Sequence, residues 1–276
     1  MNTELKEKAK EKSYLHKFLN LKCAGTLLGT LYPISSGVEK EVSEAWAITR
    51  RIKDRIFNKE RDYYNIVELC AGNPVTGILA RLLFPVSSVT SVDKRLIERD
   101  YSQIRDYKYI QKNIYDKDIV DLINSKTIII SSHPCKNLAI RVAELFNITK
   151  AAGLYFIPCC HGSLPERWKQ RQFLKENIGV YQTWCFYLAV LCNGHLEEDK
   201  HCLSPKNIVI SAIRSEKDIF LKKLKDGFDF RDKLMSLGMP VSTDMLLGKS
   251  KEDFLKEIGI DMDMDKVIES MKEEKL

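Results

Sequence analysis

The stretch Asn65 to Gly77, Asn-Ile-Val-Glu-Leu-Cys-Ala-Gly-Asn-Pro-Val-Thr-Gly, narrows the folds open to this chain more than any other. Ile66 and Val67 begin a short apolar run of strand formers that reaches a carboxylate at Glu68. Ala71-Gly72-Asn73 then makes a tight turn, and a helix opens at Pro74. Proline is favoured at a first helical position because its missing N–H has no partner there anyway, and Asn73 is a suitable N-cap. Val75, Ile78, Leu79, Leu82 and Leu83 follow at helical spacing and form a face that can lie on a sheet. A second strand, Val89 to Val92, ends in Asp93, 21 positions past Gly72. Strand, loop, helix, strand and terminal carboxylate is the order of a nucleotide-binding α/β unit, whose acid accepts hydrogen bonds from ribose hydroxyls. A dinucleotide site calls for G-x-G-x-x-G, and only Gly72 and Gly77 are present, which argues against NAD.

Glu68, Gly72 and Asp93 stand where motif I of the class I S-adenosylmethionine-dependent methyltransferases has its acid, its central glycine and the acid ending the next strand; the stretch resembles that motif. Cys70 and Pro74 stand where that family usually has glycines, and a side chain at either position crowds the cofactor pocket. The resemblance implies that Glu68, Cys70, Ala71, Gly72, Asn73, Pro74 and Asp93 surround S-adenosylmethionine. A Rossmann-like unit that binds nothing is the other reading, because topology alone does not establish function.

At 276 residues, 44% hydrophobic and 30% charged, the chain has an ordinary composition for a large α/β domain with an accessory piece. Charges alternate from Met1 to Lys8 where a signal peptide needs an apolar core, and the longest apolar run, Trp184 to Cys192, is too short to span a bilayer. The expectation is a cytoplasmic protein with no membrane partner. Eight irregularly spaced cysteines do not form a disulfide framework and are read as free thiols or ligands. The net charge of +6 is compatible with an anionic partner. Between Lys94 and Lys112, six basic residues stand against three acidic ones with Tyr101, Tyr107 and Tyr109 interleaved, a mixture that suits phosphate neutralisation and base stacking, although a mixed-charge stretch is more often the solvated face of a helix.

The expected organisation is an N-terminal helical cap over residues 1–60, an α/β core over 61–214 and a small C-terminal helical appendage over 215–276. Helices are expected over 3–22 and 38–57, with a glycine-rich loop between, as a lid over the site or a cover for a sheet edge. A charged helix is expected from Asp93 to about Tyr107, then a third strand near Tyr109. Thr127 to Ser132 is a β-branched central strand, followed by a helix through Leu138, Val142 and Leu145 and a fifth strand over Ala152 to Ile157. Tyr181 to Leu191 reads as a buried helix and Asn207 to Ala212 as a sixth strand. Alternating strands and helices imply a Rossmann-like, doubly wound, mostly parallel sheet, with ligands bound beyond the carboxyl ends of the strands. Glu68 to Gly72, Asp93, His133 to Cys135 and Pro158 to His161 therefore converge on one crevice.

Pro158-Cys159-Cys160-His161-Gly162 after the fifth strand, with Ser132-His133-Pro134-Cys135-Lys136-Asn137-Leu138-Ala139 after the fourth, is similar to a methyltransferase subgroup with a Pro-Cys-Cys-His signature. That subgroup includes the catalytic domain of the eukaryotic tRNA 2′-O-methyltransferases that act on the acceptor stem, and the similarity covers about residues 60 to 215. The zinc-finger modules of those enzymes are not visible here. The resemblance implies that Pro158, Cys159, Cys160, His161 and His133 line the acceptor site, and that Asn113 and Ile114 contact the adenine. His161 can serve as a proton acceptor, since an imidazole titrates near neutral pH. Joined by Cys135 or His133, or by Cys192, His195, His201 and Cys202, the thiols could ligate zinc, but adjacent cysteines and the lack of a C-x-x-C pair argue against a metal. Small buried thiols packing at a strand end are the third possibility. Leu164 to Lys175 is a basic segment suited to tracking a phosphate backbone. The Asn-Pro-Pro-Tyr motif of amino-methyltransferases is absent, and Asp261 to Asp265 lacks the glycine of a calcium loop. The reading is a methyltransferase acting on RNA, with a non-catalytic adapter and a protein or small-molecule methyltransferase as alternatives; oligomeric state stays open.

Overall fold

The computed structural model describes residues 13–33, 36–165 and 176–214. Seven strands form one mixed sheet: β1 (Asn65–Leu69), β2 (Ser88–Asp93), β3 (Tyr107–Gln111), β4 (Thr127–Ser132), β5 (Gly153–Ile157), β6 (His195–Glu198) and β7 (Ile208–Ile213). Their order is β3-β2-β1-β4-β5-β7-β6. The first five run parallel, while β7 is antiparallel to β5 and β6 antiparallel to β7. Strand order reverses between β1 and β4, so a crevice opens above their carboxyl ends. This is a Rossmann-like α/β fold.

Side chains alternate across the pleat, and each face carries its own core. Ile66, Ile128, Ile130 and Tyr155 point into one, covered by helices α1 (Tyr14–Leu19), α2 (Ala24–Thr30), α3 (Val38–Phe57) and α4 (Val75–Leu83). Val67, Leu69, Ile129, Leu154 and Phe156 point into the other, covered by α5 (Asn137–Ile148) and α6 (Val180–Cys192). Ile128, Ile129 and Ile130 are all fully buried, which explains why this strand reads as a continuous β-branched run. Helix α3 lies on a face of the sheet, at neither edge, and its first turns reach the crevice rim. None of the described helices is long and apolar enough to cross a membrane.

Several expectations are corrected. Residues Ala24 to Thr30 are helical, not loop. Ala24, Leu27 and Leu31 fall on one face and bury there, and this offsets the roughly 1 kcal/mol that each of Gly25 and Gly29 costs a helix. The charged helix after Asp93 does not form. The Asp93 carboxylate accepts the Arg95 backbone N–H at 3.0 Å and Asp100 accepts that of Ser102 at 2.8 Å, local bonds that compete with a helical ladder. Strand β6 was not anticipated, because His195–Glu198 is exposed at every position and polar at all but Leu196, like a loop. Residues 1–12, the basic segment 166–175 and the appendage 215–276 lie outside the described residues.

Candidate functional site

Glu68 ends up inside the protein, beneath the loop that follows β1. Its side chain is 1% exposed, its Oε2 accepts the Ser91 hydroxyl at 2.6 Å, and the Gly77 backbone N–H faces the same carboxyl. Burial pushes this carboxyl up to about 8, against the lowering effect of its two hydrogen bonds, so it is largely protonated at neutral pH. Glu68 therefore faces the buried space between β1, β2 and α4, and its contribution is to hold the loop. Gly77 has a steric reason to be glycine: a Cβ there would lie 2.4 Å from Glu68 Oε2 and 2.6 Å from Ser91 Oγ. This is the close helix–strand approach that the last glycine of a nucleotide-binding loop serves.

The crest of the loop is built from left-handed backbone. Gly72 has φ 52°, and Cys70 takes φ 56° without being glycine, a conformation costing about 1–2 kcal/mol for an L side chain. Burial, then the neighbouring Asp93 charge, pushes the Cys70 thiol up to about 12. Asp93, at the end of β2, accepts the Gly72 N–H at 2.8 Å through Oδ2, which ties the two strand ends together. Its other oxygen accepts Arg95 Nε at 3.0 Å. Burial pushes the Asp93 carboxyl up, but the hydrogen bonds from Arg95 and Gly72 outweigh it and hold the group below the usual carboxylate range. The Arg95 guanidinium lies directly over the loop, 2.7 Å from where a Gly72 Cβ would stand. Asn73 does not cap α4. Pro74 is the cap residue, and the Asn73 amide donates to Glu41 Oε2 of α3 at 3.3 Å.

Beyond β3, Asn113 Oδ1 accepts the Tyr115 N–H at 3.1 Å and heads a tight turn. Ile114, 3% exposed, is packed in the second core. The ring displayed at this corner is that of Tyr115, 52% exposed, with the Arg141 guanidinium 5.6 Å from its centroid. The three tyrosines between Lys94 and Lys112 pack on one another, Tyr101 tilted against Tyr107 at 5.2 Å and stacked on Tyr109 at 5.7 Å.

On the other side of the switch point, the loops after β4 and β5 meet the start of α3. His133, at φ 65°, sends its ring to Glu44 of α3, whose carboxylate is fully buried and hydrogen-bonds His133 Nε2. A cavity of about 330 Å³ lies here, lined by Ser36, Gly37, Lys40, Glu41, His133 and Cys159. Burial pushes the Glu41 carboxyl up, with the Asn73 hydrogen bond acting against it. Pro158 is buried and its carbonyl accepts the Tyr181 hydroxyl at 3.0 Å, while His161 is exposed. The sulfurs of Cys135, Cys159 and Cys160 lie within 4.8 Å of one another. His201 instead packs on Tyr14 at 5.4 Å, and Cys202 lies 3.8 Å from the Ser43 carbonyl. One residue past His161, a Gly162 Cβ would stand 2.6 Å from the indole of Trp184, which is fully buried.

The sequence reading missed Glu41 and Glu44. Their signal was two acids three apart on the stripe that also carries Val42 and Ala45, since a carboxylate on a buried face is rare without a partner.

No family model matches the chain, and no curated protein does. Among solved structures it is similar to the CurJ carbon methyltransferase, at 12% identity over 76% of this chain and 70% of that one, with a TM-score of 0.41. It is similar to the 23S rRNA methyltransferase ErmE at 11% identity over 76% and 84%, TM-score 0.39. A Thermoplasma acidophilum protein, designated 1320, matches at 14% identity over 64% and 87%, TM-score 0.37.

Proposed function

We propose that the chain is an S-adenosylmethionine-dependent methyltransferase acting on RNA. The observation that carries this reading is the Asp93 carboxylate at the end of β2, bonded to the Gly72 N–H of the loop after β1 on one wall of the switch-point crevice. The residues present fit the cofactor. Gly72 forms a cradle that a Cβ would fill, the side chain over it belongs to Arg95, which is 63% exposed and paired with Asp93, and Asp93 stays ionised. Asp93 would take the ribose hydroxyls, the backbone of Ala71 to Asn73 would border the amino-acid moiety, and Asn113 with Tyr115 would hold the adenine. When bound, the cofactor supplies a methyl group on a sulfonium, displaced in line by the acceptor. The chain's own part is positioning and proton transfer. His133, oriented by Glu44, stands in the cavity and can accept the acceptor's proton. Lys40, half-exposed on the same wall, offers a cation to a phosphate, in keeping with the net charge of +6.

Titration calorimetry of the full chain with S-adenosylhomocysteine tests this. Micromolar binding is expected, weakened about tenfold to a hundredfold by Asp93→Asn and left within a few-fold by Glu68→Gln, whose carboxyl faces away from the crevice. No binding by the folded protein would leave the non-catalytic adapter as the better account, an account that Cys70 and the Arg95–Asp93 pair already favour. RNA affinity should fall steeply as salt rises, and a flat salt response would count against an RNA acceptor.

Arg95→Ala should tighten S-adenosylhomocysteine binding about two- to fivefold, because the exposed ion pair that competes for Asp93 is worth only about 0.5–1 kcal/mol. A loss of affinity in the same titration would instead make the guanidinium part of the binding shell.

A further inference from the structure

We propose that Cys135, Cys159 and Cys160 hold one zinc ion, with its fourth coordination position open. The three sulfurs are mutually within 4.8 Å, and those of Cys159 and Cys160 are 3.5 Å apart. Zinc–thiolate bonds of about 2.3 Å on a tetrahedron place sulfurs about 3.8 Å from one another, so the trio needs to move by less than about 1 Å to enclose the ion. Neighbouring cysteines rarely serve one metal from sequence considerations alone, but here both face a third thiol from the adjacent strand end.

The backbone is arranged to bring them together. The β4 and β5 ends are pinned by the His133 N–H, which donates to the Ile157 carbonyl at 2.9 Å. His133 at φ 65° and Lys136 at φ 51° bracket Cys135, folding that loop back toward Cys159. Thiolates are soft ligands that select zinc among the common divalent ions. Cys135 and Cys159 are half-buried and Cys160 is exposed, so one side of the trio faces solvent. Three protein ligands and one open position is the pattern of a zinc that binds an exchangeable ligand, a water or an anionic donor atom. Cys159 also lines the cavity beside His133, so the ion would fix the two loops that wall it. The sulfur geometry is independent of cofactor binding.

The test uses the reduced, chelator-treated full chain titrated with cobalt(II) as the probe, then displaced with zinc. One equivalent should produce thiolate-to-cobalt charge-transfer absorption with the intense visible bands of a tetrahedral site, and zinc should abolish both. Cys135→Ser and Cys159→Ser should lose the signal while Cys23→Ser, distant in sequence and not in the trio, keeps it. Because a variant could misfold, a footprint on the unmodified chain accompanies it. Zinc should slow alkylation of Cys135, Cys159 and Cys160, out of the eight cysteines, by about tenfold or more. Absence of the charge-transfer signal, a signal unchanged in Cys135→Ser, or a protected set centred on other cysteines would overturn the proposal. So would formation of a disulfide within the trio with no metal uptake.

Discussion

Replacing Glu68 with glutamine is expected to flatten the dependence of stability on pH between about 4.5 and about 8, an interval over which the parent chain should lose stability as pH rises. The folded carboxyl is raised to about 8 from an ordinary value of 4.5, so within this interval the folded state keeps a proton that the unfolded chain has released. Protonated Glu68 is therefore fully stabilising at the acid end, and its contribution fades as pH climbs through the folded value. One proton over this interval is worth about 1.4 kcal/mol per pH unit, or on the order of 3–5 kcal/mol in all. Glutamine preserves shape and can still accept from Ser91 and Gly77, but it has no proton to lose. Glu41, also raised by burial, contributes a smaller slope of the same sign that the variant retains. Asp93 is held low, so its contribution is lost only as pH falls below the ordinary carboxylate range, outside the interval. Denaturant unfolding of both proteins at about pH 5 and about pH 8 measures the effect. Parallel profiles would mean that Glu68 is ionised in the folded protein.

Gly77→Ala should cost about 2–4 kcal/mol, more than a glycine-to-alanine change normally does inside a helix, where alanine is usually the better residue. The added methyl meets Glu68 Oε2 and Ser91 Oγ inside van der Waals distance, and both groups are buried between β1, β2 and α4 with nowhere to retreat. Either the helix lifts or the hydrogen bonds to Glu68 break, and a buried carboxyl deprived of its donors costs a further 1–3 kcal/mol or so. Adding Ser91→Ala removes one of the two obstructing atoms, so the double variant should recover part of the loss. A thermal-unfolding cycle over the two single variants and the double detects that coupling. A Gly77→Ala protein as stable as its parent would place α4 farther from β1 than described here.

The parts of this protein that were legible in the sequence are those whose physics is local. Thr127 to Ser132 could be read as a central strand because a segment buried on both faces must be apolar at every position. The link from Gly72 to Asp93 was readable as spacing. What spacing could not convey is direction. Glu68, next to last in β1, and Asp93, last in β2, both lie at the carboxyl ends of parallel strands, yet one carboxyl turns under the loop and the other stays at its mouth, and Gly77 and Ser91 decide which. Glu44 was hidden because its partner, His133, lies 89 positions away. The run after Asp93 was read as a helix from its charge pattern, and it fails to form because the Asp93 and Asp100 carboxylates take nearby backbone donors first. The segment Ala24 to Thr30 errs in the opposite sense: two glycines suggested a loop, and burial of Ala24, Leu27 and Leu31 prevailed. The meeting of Cys135 with Cys159 and Cys160 depends on β4 lying beside β5, which is a property of the whole sheet.

The close seat of Gly162 against Trp184 gives the chain a built-in optical gauge. The indole is wholly shielded from water, and its Nε1 has no hydrogen-bond partner among the described residues, so its emission should be blue and structured. Because Gly162 directly follows His161, any ligand or ion that draws the Pro158 to His161 loop toward β4 must slide this glycine along the ring. With Trp46 and Trp168 replaced by phenylalanine, the shift in emission would then report motion at the crevice wall in real time, without a dye attached to any of the cysteines under study.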